Sequence, residues 1–267
     1  MLSSGTFPTR LKFAEIKPLF KKGEGMDISN YSPISLLPSF SKILEKIIFR
    51  RLIHYFHYNK ILANEQFGFR SNTSTELASY HLISKILAAL NDRLLVGGIF
   101  CDLKKAFDCV DHEILLAKLY QYGIAGKGLA LITSYLQDRN QRVTISNRSK
   151  LYCSEWKSIT QGVPQGSVLG PLLFLIYINY LPQTVSTYAD TILFSDDTSI
   201  IVKLTKSCEF AYSIQENIIN VNRWFNSNSL LLNMDNTHYL QFYTKIGQTK
   251  DLEIHYEDNQ ITAVNTI

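Results

Sequence analysis

The chain has 267 residues, of which 46% are apolar and 19% charged, and its formal net charge at pH 7 is +4. This composition excludes an intrinsically disordered chain and predicts one large or two small folded domains with a substantial core. The mild positive charge is compatible with a nucleic-acid partner but does not by itself indicate one.

The cysteines and the termini bear on the cellular compartment. The four cysteines show no CxxC or Cys/His spacing, so we expect free thiols in a reducing compartment. They are Cys101, Cys109, Cys153 and Cys208. No basic region followed by an apolar core opens the chain, and the apolar run 168–181 is short and interrupted by Asn179, which predicts a buried helix rather than a membrane span. An intracellular protein is therefore expected, nuclear or cytoplasmic, neither secreted nor bound to a membrane.

The first third of the chain alternates basic, extended and helical patterns. Residues 10–25 are basic around a Gly-Glu-Gly tip, which fits a loop that approaches phosphate and equally an ordinary surface hairpin. Two prolines keep residues 30–38 extended. A helix is predicted from Ser39, with Glu45 on a face other than its apolar stripe, which comprises Phe40, Ile43, Leu44, Ile47, Ile48 and Leu52. A second amphipathic helix is predicted over 73–92, and the lone histidines are interpreted as packing or surface residues: His54, His57, His81 and His112.

In the middle of the chain, a predicted buried strand is followed directly by a carboxylate. The apolar run 94–101 predicts a strand that gives way to a turn at Asp102. Acidic residues at 108, 111 and 113 are interpreted as the start of a helix over 111–122, with Gly123 as its C-cap. Ser167 is predicted to cap an apolar helix that runs to about Tyr180. The other predicted elements are a helix over 126–137, strands over 141–145 and 151–160, a helix over 208–226, and strands over 230–233 and 238–243.

Two adjacent carboxylates mark the most informative stretch, residues 191–202. Apolar runs on both sides of Ser195-Asp196-Asp197 predict a β-hairpin with the acidic pair at its tip. Taken alone, such a pair is more often a solvated turn than a metal site. A metal site needs a third carboxylate from elsewhere in the chain, and Asp102 at the end of a separate strand meets that need.

Five motifs in order resemble those of the non-LTR (LINE-type) retrotransposon reverse transcriptases. They are Asn30-Tyr31-x-Pro33-Ile34-Ser35-Leu36-Leu37, Gln66-Phe67-Gly68-Phe69-Arg70, Asp102-Leu103-x-Lys105-Ala106-Phe107-Asp108, Gly162-Val163-Pro164-Gln165-Gly166-Ser167 and Phe194-x-Asp196-Asp197. The resemblance implies an α+β fold, the polymerase right hand. It implies a fingers-like region at 1–92, a palm at 93–244 that returns to the fingers at 124–160, and the start of a thumb or a polar tail at 245–267.

The resemblance also implies the chemistry: RNA-directed DNA polymerisation onto a primer 3′-hydroxyl, with an RNA template, a DNA primer, deoxynucleoside triphosphates and two Mg²⁺ ions. Asp102 and Asp196 are expected to bind the metals, with Asp197 as the third acidic member and the carbonyl of Leu103 as a further ligand. Phe107 is expected to block a ribose 2′-hydroxyl. The remaining candidates are Gln165 and Gly166 in the nucleotide and template pocket, and Lys22 and Arg70 as phosphate contacts.

Four positions depart from the family pattern. The family usually has Arg in place of Ser32, Lys in place of Asn236, Asp in place of Tyr180 and Ala in place of Ser195. Ser32 removes a contact to the triphosphate, and Asn236 cannot donate a proton to pyrophosphate as an acid. Two hypotheses remain open, an active polymerase domain and a decayed or repurposed copy that keeps the fold and binds nucleic acid without efficient catalysis. A metal-dependent nuclease is a weaker third, because it leaves the motif 162–167 without a purpose. The pattern predicts no oligomeric state.

Overall fold

The computed structural model describes residues 1–147 and 150–243, and the backbone of 254–256 and 259–261. The chain forms two compact units, each built from two segments. Unit 1 comprises Met1–Ile61 and Phe107–Tyr177, and unit 2 comprises Leu62–Ala106 and Ile178–Ile267. The assignment of fingers-like and palm regions stays a prediction. The proposed thumb start or tail at 245–267 falls outside the described residues, apart from the two short strands there.

Six α-helices and thirteen strands are described in these parts of the chain. The helices are α1 (Ser39–Tyr58), α2 (Thr75–Asn91), α3 (His112–Gln121), α4 (Gly126–Leu136), α5 (Leu169–Ile178) and α6 (Ser207–Ser227). The strands are β1 (Phe13–Phe20), β2 (Tyr31–Leu36), β3 (Leu95–Cys101), β4 (Leu103–Lys104), β5 (Arg139–Asn147), β6 (Lys150–Cys153), β7 (Lys157–Ile159), β8 (Ala189–Phe194), β9 (Asp197–Leu204), β10 (Leu231–Leu232), β11 (His238–Phe242), β12 (Ile254–Tyr256) and β13 (Asn259–Ile261). None of the described helices is both long and apolar enough to cross a membrane.

Unit 1 contains a mixed sheet in the order β2–β1–β5–β6, with β7 also paired to β5. Strands β1 and β2 form an antiparallel hairpin, and β1 runs parallel to β5. Pro33 lies in β2, at the edge of the sheet, where a residue without an N–H group is tolerated. The loop between the two hairpin strands carries Lys21 and Lys22, which are both exposed.

The predicted strand over 151–160 is wrong in one respect, because the structure divides it into β6 and β7. The hydroxyl of Ser154 accepts a hydrogen bond from the Val143 amide at 2.9 Å, and the Ser154 amide donates to the Val143 carbonyl at 2.9 Å. This side-chain bond interrupts the strand ladder. The chain then resumes as β7 against the first residues of β5.

The buried face of α1 differs in part from the prediction, since Ile48 and Leu52 are buried as predicted but other members of the stripe are not. Phe40, Ile43 and Ile47 are 74%, 54% and 40% exposed, whereas Glu45 is fully buried. The reason is a packing partner that the periodicity of α1 does not reveal. Glu45 Oε2 accepts hydrogen bonds from the amides of Val168 at 2.7 Å and Leu169 at 3.2 Å, at the start of α5.

Unit 2 is organised around the antiparallel sheet β11–β3–β9–β8. One face packs on α2, where Ile86 and Ile201 belong to the buried core. The other face receives α6 so closely that a Cβ at Gly97 would lie 2.9 Å from the side chains of Phe210 and Ile214. Because both faces are covered, β3 and β9 read as continuous apolar runs. The covered sheet is a rigid base for the side chains at the ends of its strands.

Candidate active site

The predicted acidic hairpin is present at the β8–β9 connection. Phe194 pairs with Asp197, so Ser195 and Asp196 form a two-residue turn. Ser195 has a φ of +59°, in the left-handed region that costs a residue other than glycine roughly 1–2 kcal/mol. Its side chain is buried, whereas Asp197 is exposed.

Asp102 lies at the same end of the sheet. Cys101 pairs with Thr198 in the antiparallel β3–β9 register, and the next step along each strand brings Asp102 opposite Asp197. Residues that are directly opposite in an antiparallel pair point to the same face. Asp102 and Asp197 therefore lie on one face at the end of the sheet, and Asp196 is next to them in the turn; the three residues are here called the acidic cluster.

Negative charge accumulates in the acidic cluster. Partial desolvation of the carboxyl, followed by the charges of Asp196 and Asp102, raises the pKa of Asp197 above its ordinary value. None of the salt bridges among the described residues involves a member of the cluster. The electrostatic strain is therefore left for a bound cation or a proton to relieve.

Two asparagine amides hold the Asp102 carboxylate. Its Oδ2 accepts hydrogen bonds from Asn233 Nδ2 at 2.9 Å and Asn236 Nδ2 at 2.8 Å. The backbone N–H of Asn233 also donates to the backbone carbonyl of Asp102 at 2.8 Å, next to the pairing of β10 with β4. The side chain at position 236, where the family usually carries lysine, thus contacts a predicted metal ligand directly. Leu103, whose carbonyl was the further candidate ligand, lies in β4 opposite Leu232.

Gln66, which sequence reasoning left without a role, contacts the acidic turn. It is 4% exposed, and its Oε1 accepts hydrogen bonds from the amides of Ser195 at 3.0 Å and Gly68 at 2.6 Å. Its Nε2 donates to the Ser195 carbonyl at 3.3 Å. The signal that could have found it is its place in a recognised motif, two residues before Gly68.

Arg70 also supports the loop that contains Gln66. Its Nη1 donates to the carbonyls of Ala63 at 2.5 Å and Gln66 at 3.2 Å. Burial lowers the pKa of the guanidinium. Arg70 therefore has a structural partner set, and its role as a phosphate contact stays a prediction.

The other predicted nucleotide-binding residues lie in unit 1. Phe107 stacks on Phe174, with ring centroids 4.7 Å apart and an interplanar angle of 19°. Gln165 is half-buried and lines a cavity of about 430 Å³, and its carbonyl accepts a hydrogen bond from the Ser35 amide at 2.8 Å. Gly166 has a φ of +101°, and a Cβ there would lie 3.0 Å from the Ser35 carbonyl oxygen. Lys22 is exposed in the β1–β2 loop.

Unit 2 thus holds the acidic cluster, Leu103 and Arg70, and unit 1 holds Phe107, Gln165, Gly166 and Lys22. The remaining positions that sequence analysis singled out are ordinary by comparison. Tyr180 is 51% exposed after the end of α5, and His112 hydrogen-bonds the Gly162 carbonyl at 2.8 Å through Nε2. Cys101, Cys153 and Cys208 are free thiols, as predicted.

The donors of the acidic cluster fit a hard divalent cation, because Mg²⁺ prefers carboxylate oxygens and the cluster has negative charge to neutralise. Within the described part of the chain, no group of three or more His, Cys, Asp or Glu side chains is close enough to enclose an ion by itself. Such a cation would therefore need oxygen ligands from water and phosphate as well, which is the usual preference of Mg²⁺.

The fold and the acidic cluster agree with a family comparison. Residues 20–256 match the family model described as reverse transcriptase (RNA-dependent DNA polymerase). The chain belongs to this family, whose members generally use divalent metal ions.

The curated relatives of this chain are polymerases of mobile elements. The RNA-directed DNA polymerase from mobile element jockey of Drosophila melanogaster is 29% identical over 262 residues, covering 96% of this chain and 28% of that protein. The probable RNA-directed DNA polymerase from transposon BS of the same species is 32% identical over 231 residues, covering 82% and 24%. The resemblance to non-LTR retrotransposon enzymes is confirmed. The chain spans about a quarter of the length of these relatives.

Solved structures support the fold. The apo telomerase of Candida tropicalis superposes with a TM-score of 0.61 at 12% identity, covering 94% of this chain and 47% of that one. The same telomerase in complex with a TWJ fragment of telomeric RNA gives a TM-score of 0.60 at 12% identity, covering 94% and 43%. At this identity the likeness concerns the fold alone. The α+β fold of a polymerase fingers and palm is confirmed.

Proposed function

We propose that this chain is the catalytic part of an RNA-directed DNA polymerase, which extends a DNA primer on an RNA template with deoxynucleoside triphosphates. The observation that carries the proposal is the acidic cluster, in which Asp102 and Asp197 share a sheet face beside Asp196 in a chain of the reverse transcriptase family. Carboxylates gathered at the ends of buried strands are rigidly held, as a reaction that depends on positioning requires.

Asp102 and Asp196 are the proposed metal ligands, and Asp197 is the proposed third acidic member. Two bound Mg²⁺ ions would supply the positive charge that a primer oxygen and a triphosphate need in order to approach each other. Asn233 and Asn236 keep Oδ2 of Asp102 engaged, which orients Oδ1 as the oxygen available for a cation. The turn at Ser195 sets the direction of the other two carboxylates.

Residues of unit 1 are proposed to bind the nucleotide and the template. Phe107 is held by its stack on Phe174, so its ring is fixed in the way a steric block against a 2′-hydroxyl requires. Gln165 and Gly166 lie on a loop anchored to Ser35, and the cavity beside this loop has polar and apolar walls suited to a base or sugar. Lys22 is the proposed phosphate contact of the β1–β2 loop.

Primer extension by the full chain tests the proposal. With a primed RNA template, deoxynucleotides and Mg²⁺, we expect extension by the wild-type chain and a loss of at least about a thousandfold in Asp196→Ala, because electrostatic stabilisation of the transition state is lost. Asp92→Ala is the matched control, since Asp92 is an exposed carboxylate of the same unit and its removal should leave extension unchanged. A folded wild-type chain that extends no primer with Mg²⁺ or Mn²⁺ would contradict the proposal.

A second candidate function is supported by Ser32 and Asn236, which replace side chains that would contact and protonate phosphates. Under this alternative the chain binds a primed template and does not extend it. Introducing Ser32→Arg and Asn236→Lys separates the two functions. Extension that appears only in the double variant would identify point decay, whereas extension by the wild-type chain would exclude this alternative.

A further inference from the structure

We propose that Gln66 is a positioning residue for the acidic cluster, because it holds the Ser195 turn in the conformation that presents Asp196 and Asp197. The inference rests on the proposed function, since it takes these carboxylates to be cation ligands. Gln66 itself is buried behind the turn, and its side chain contacts the backbone of Ser195 rather than the carboxylates.

Three hydrogen bonds define the contact. Oε1 of Gln66 accepts from the Ser195 and Gly68 amides at 3.0 and 2.6 Å, and Nε2 donates to the Ser195 carbonyl at 3.3 Å. The side chain thus binds both the N–H and the C=O of Ser195, as a paired strand residue would. Because Ser195 is buried, these backbone groups have no water to replace a lost partner.

The backbone around Gln66 is itself hydrogen-bonded to the end of β8. This holds in place the contact between Gln66 and Ser195, here called the clamp. The Phe67 amide donates to the Leu193 carbonyl at 2.8 Å, and the Leu193 amide donates to the Glu65 carbonyl at 2.8 Å. Gly68 completes the fit, since a Cβ there would overlap the Ser195 amide nitrogen and lie 2.9 Å from Ser195 Cα. The segment 65–68 therefore lies directly against the turn with no room for adjustment.

Two effects oppose the observed turn and explain why it needs a clamp. Ser195 adopts a φ of +59° that favours glycine or asparagine. The adjacent carboxylates of the acidic cluster repel each other, which pushes the hairpin tip away from Asp102. Glutamine suits the task because it offers an acceptor and a donor on one planar group, whereas glutamate would place an anion against the Ser195 carbonyl.

Binding of Mn²⁺ alone, followed by electron paramagnetic resonance on the full chain, tests the inference without requiring catalysis. Gln66→Met keeps the side-chain length and removes all three hydrogen bonds. We expect the dissociation constant for Mn²⁺ to rise about tenfold, as for the loss of one to two hydrogen bonds. The melting temperature is measured in parallel on every variant.

Asn217→Ala is the matched control. Asn217 is a fully buried amide of the same unit, and it accepts from the Ser186 amide at 2.9 Å and donates to the Ser213 carbonyl at 2.7 Å, away from the acidic turn. Its loss should lower the melting temperature and leave Mn²⁺ binding unchanged. A merely structural role for Gln66 would give the same pattern in Gln66→Met and would overturn the inference.

Ser195→Gly provides the rescue, because glycine adopts the left-handed turn without the clamp. In a double-mutant cycle we expect Gln66→Met to raise the dissociation constant for Mn²⁺ about tenfold in the wild-type background. In the Ser195→Gly background the same substitution should raise it about threefold or less. Equal costs in the two backgrounds would overturn the inference. If Gln66→Met does not fold, Gly68→Ala replaces it: displacement of the turn should weaken Mn²⁺ binding, and unchanged binding would count against the clamp.

The two proposals fail in different ways. Weakened Mn²⁺ binding in Gln66→Met together with a wild-type chain that extends no primer would refute the polymerase activity and leave the clamp standing. Primer extension by the wild-type chain with unaltered Mn²⁺ binding in Gln66→Met would refute the clamp alone. A wild-type chain that binds no Mn²⁺ would overturn the inference directly.

Discussion

Asp197 is a residue whose charge opposes folding in the absence of a cation. Partial desolvation and the neighbouring carboxylates raise its pKa in the folded chain above the unfolded value. The folded state therefore binds a proton more tightly than the unfolded state does. The contribution to stability is greatest below the unfolded pKa and is lost as the pH rises through the unfolded pKa towards the folded one.

Replacing Asp197 with Asn should consequently stabilise the chain at neutral pH. Without divalent cations we expect Asp197→Asn to raise the melting temperature by about 1–3 °C at pH 7. The gain should disappear below about pH 3, where aspartates are protonated in both states. Thermal melts across this pH range provide the measurement, with the exposed Asp92→Asn as control. A melting temperature at or below the wild-type value at pH 7 would refute this explanation of the acidic cluster.

Asn236 and Gln66 show what sequence reasoning misses at the scale of a residue. The pattern marks Asn236 only as the loss of a lysine, whereas the structure gives its amide a hydrogen bond to Asp102, 134 positions away. Gln66 contacts Ser195 across 129 positions. Side-chain bonds of this range leave no periodic trace in the chain, so motif order indicated the positions of Gln66 and Asn236 but not the contacts that their amides make.

At the scale of elements, Glu45 of α1 connects this helix to the start of α5. Its Oε1 accepts from Ser41 Oγ at 2.9 Å, and its Oε2 accepts from the two amides at the start of α5. A carboxylate at a helix N-terminus satisfies unpaired amides and interacts favourably with the helix dipole. The same contact anchors the end of the loop that carries Gln165 and Gly166.

Removing this carboxylate should therefore destabilise unit 1. We expect Glu45→Ala to lower the free energy of unfolding by about 3 kcal/mol, because buried amides are left unsatisfied and a cavity is created. Urea denaturation measures the effect. Lys46→Ala, one residue further along the same helix and exposed, should change stability by less than about 0.5 kcal/mol. Equal effects in the two variants would contradict the capping role.

Elements were the part of the fold that the sequence predicted best. Helices α2 to α6 and the strands of the unit 2 sheet follow their periodicity, because burial on both faces of that sheet gives β3 and β9 unbroken apolar runs. Ser167 caps α5 as predicted, since its Oγ accepts from the Gly170 amide at 2.9 Å. The face of α1 was predicted only in part: Ile48 and Leu52 are buried as predicted, but the polar side chain of Glu45 occupies a buried position in place of Phe40, Ile43 and Ile47.

At the scale of the whole molecule, the net charge of +4 leads to a prediction about nucleic-acid binding. If Lys22 contacts a phosphate, Lys22→Ala should weaken primer–template binding and reduce the slope of log K against log salt concentration by about 1. Lys206→Ala is the matched control, because Lys206 is exposed and already paired with Glu209 at 2.8 Å. Fluorescence anisotropy over a range of salt concentrations measures both slopes. Identical slopes for wild type and Lys22→Ala would exclude the phosphate contact.

The discontinuous make-up of both units has a consequence for synthesis on the ribosome. Unit 1 cannot close until residues up to Tyr177 have emerged, and unit 2 obtains β8, β9 and β11 only later still. Domains generally fold as units during translation, so neither half of the chain can complete a folded unit early in synthesis. A premature stop near residue 150 would leave unit 1 without α5 and unit 2 with one strand of its four-stranded sheet. A single nonsense mutation in that region would therefore disable both units at once.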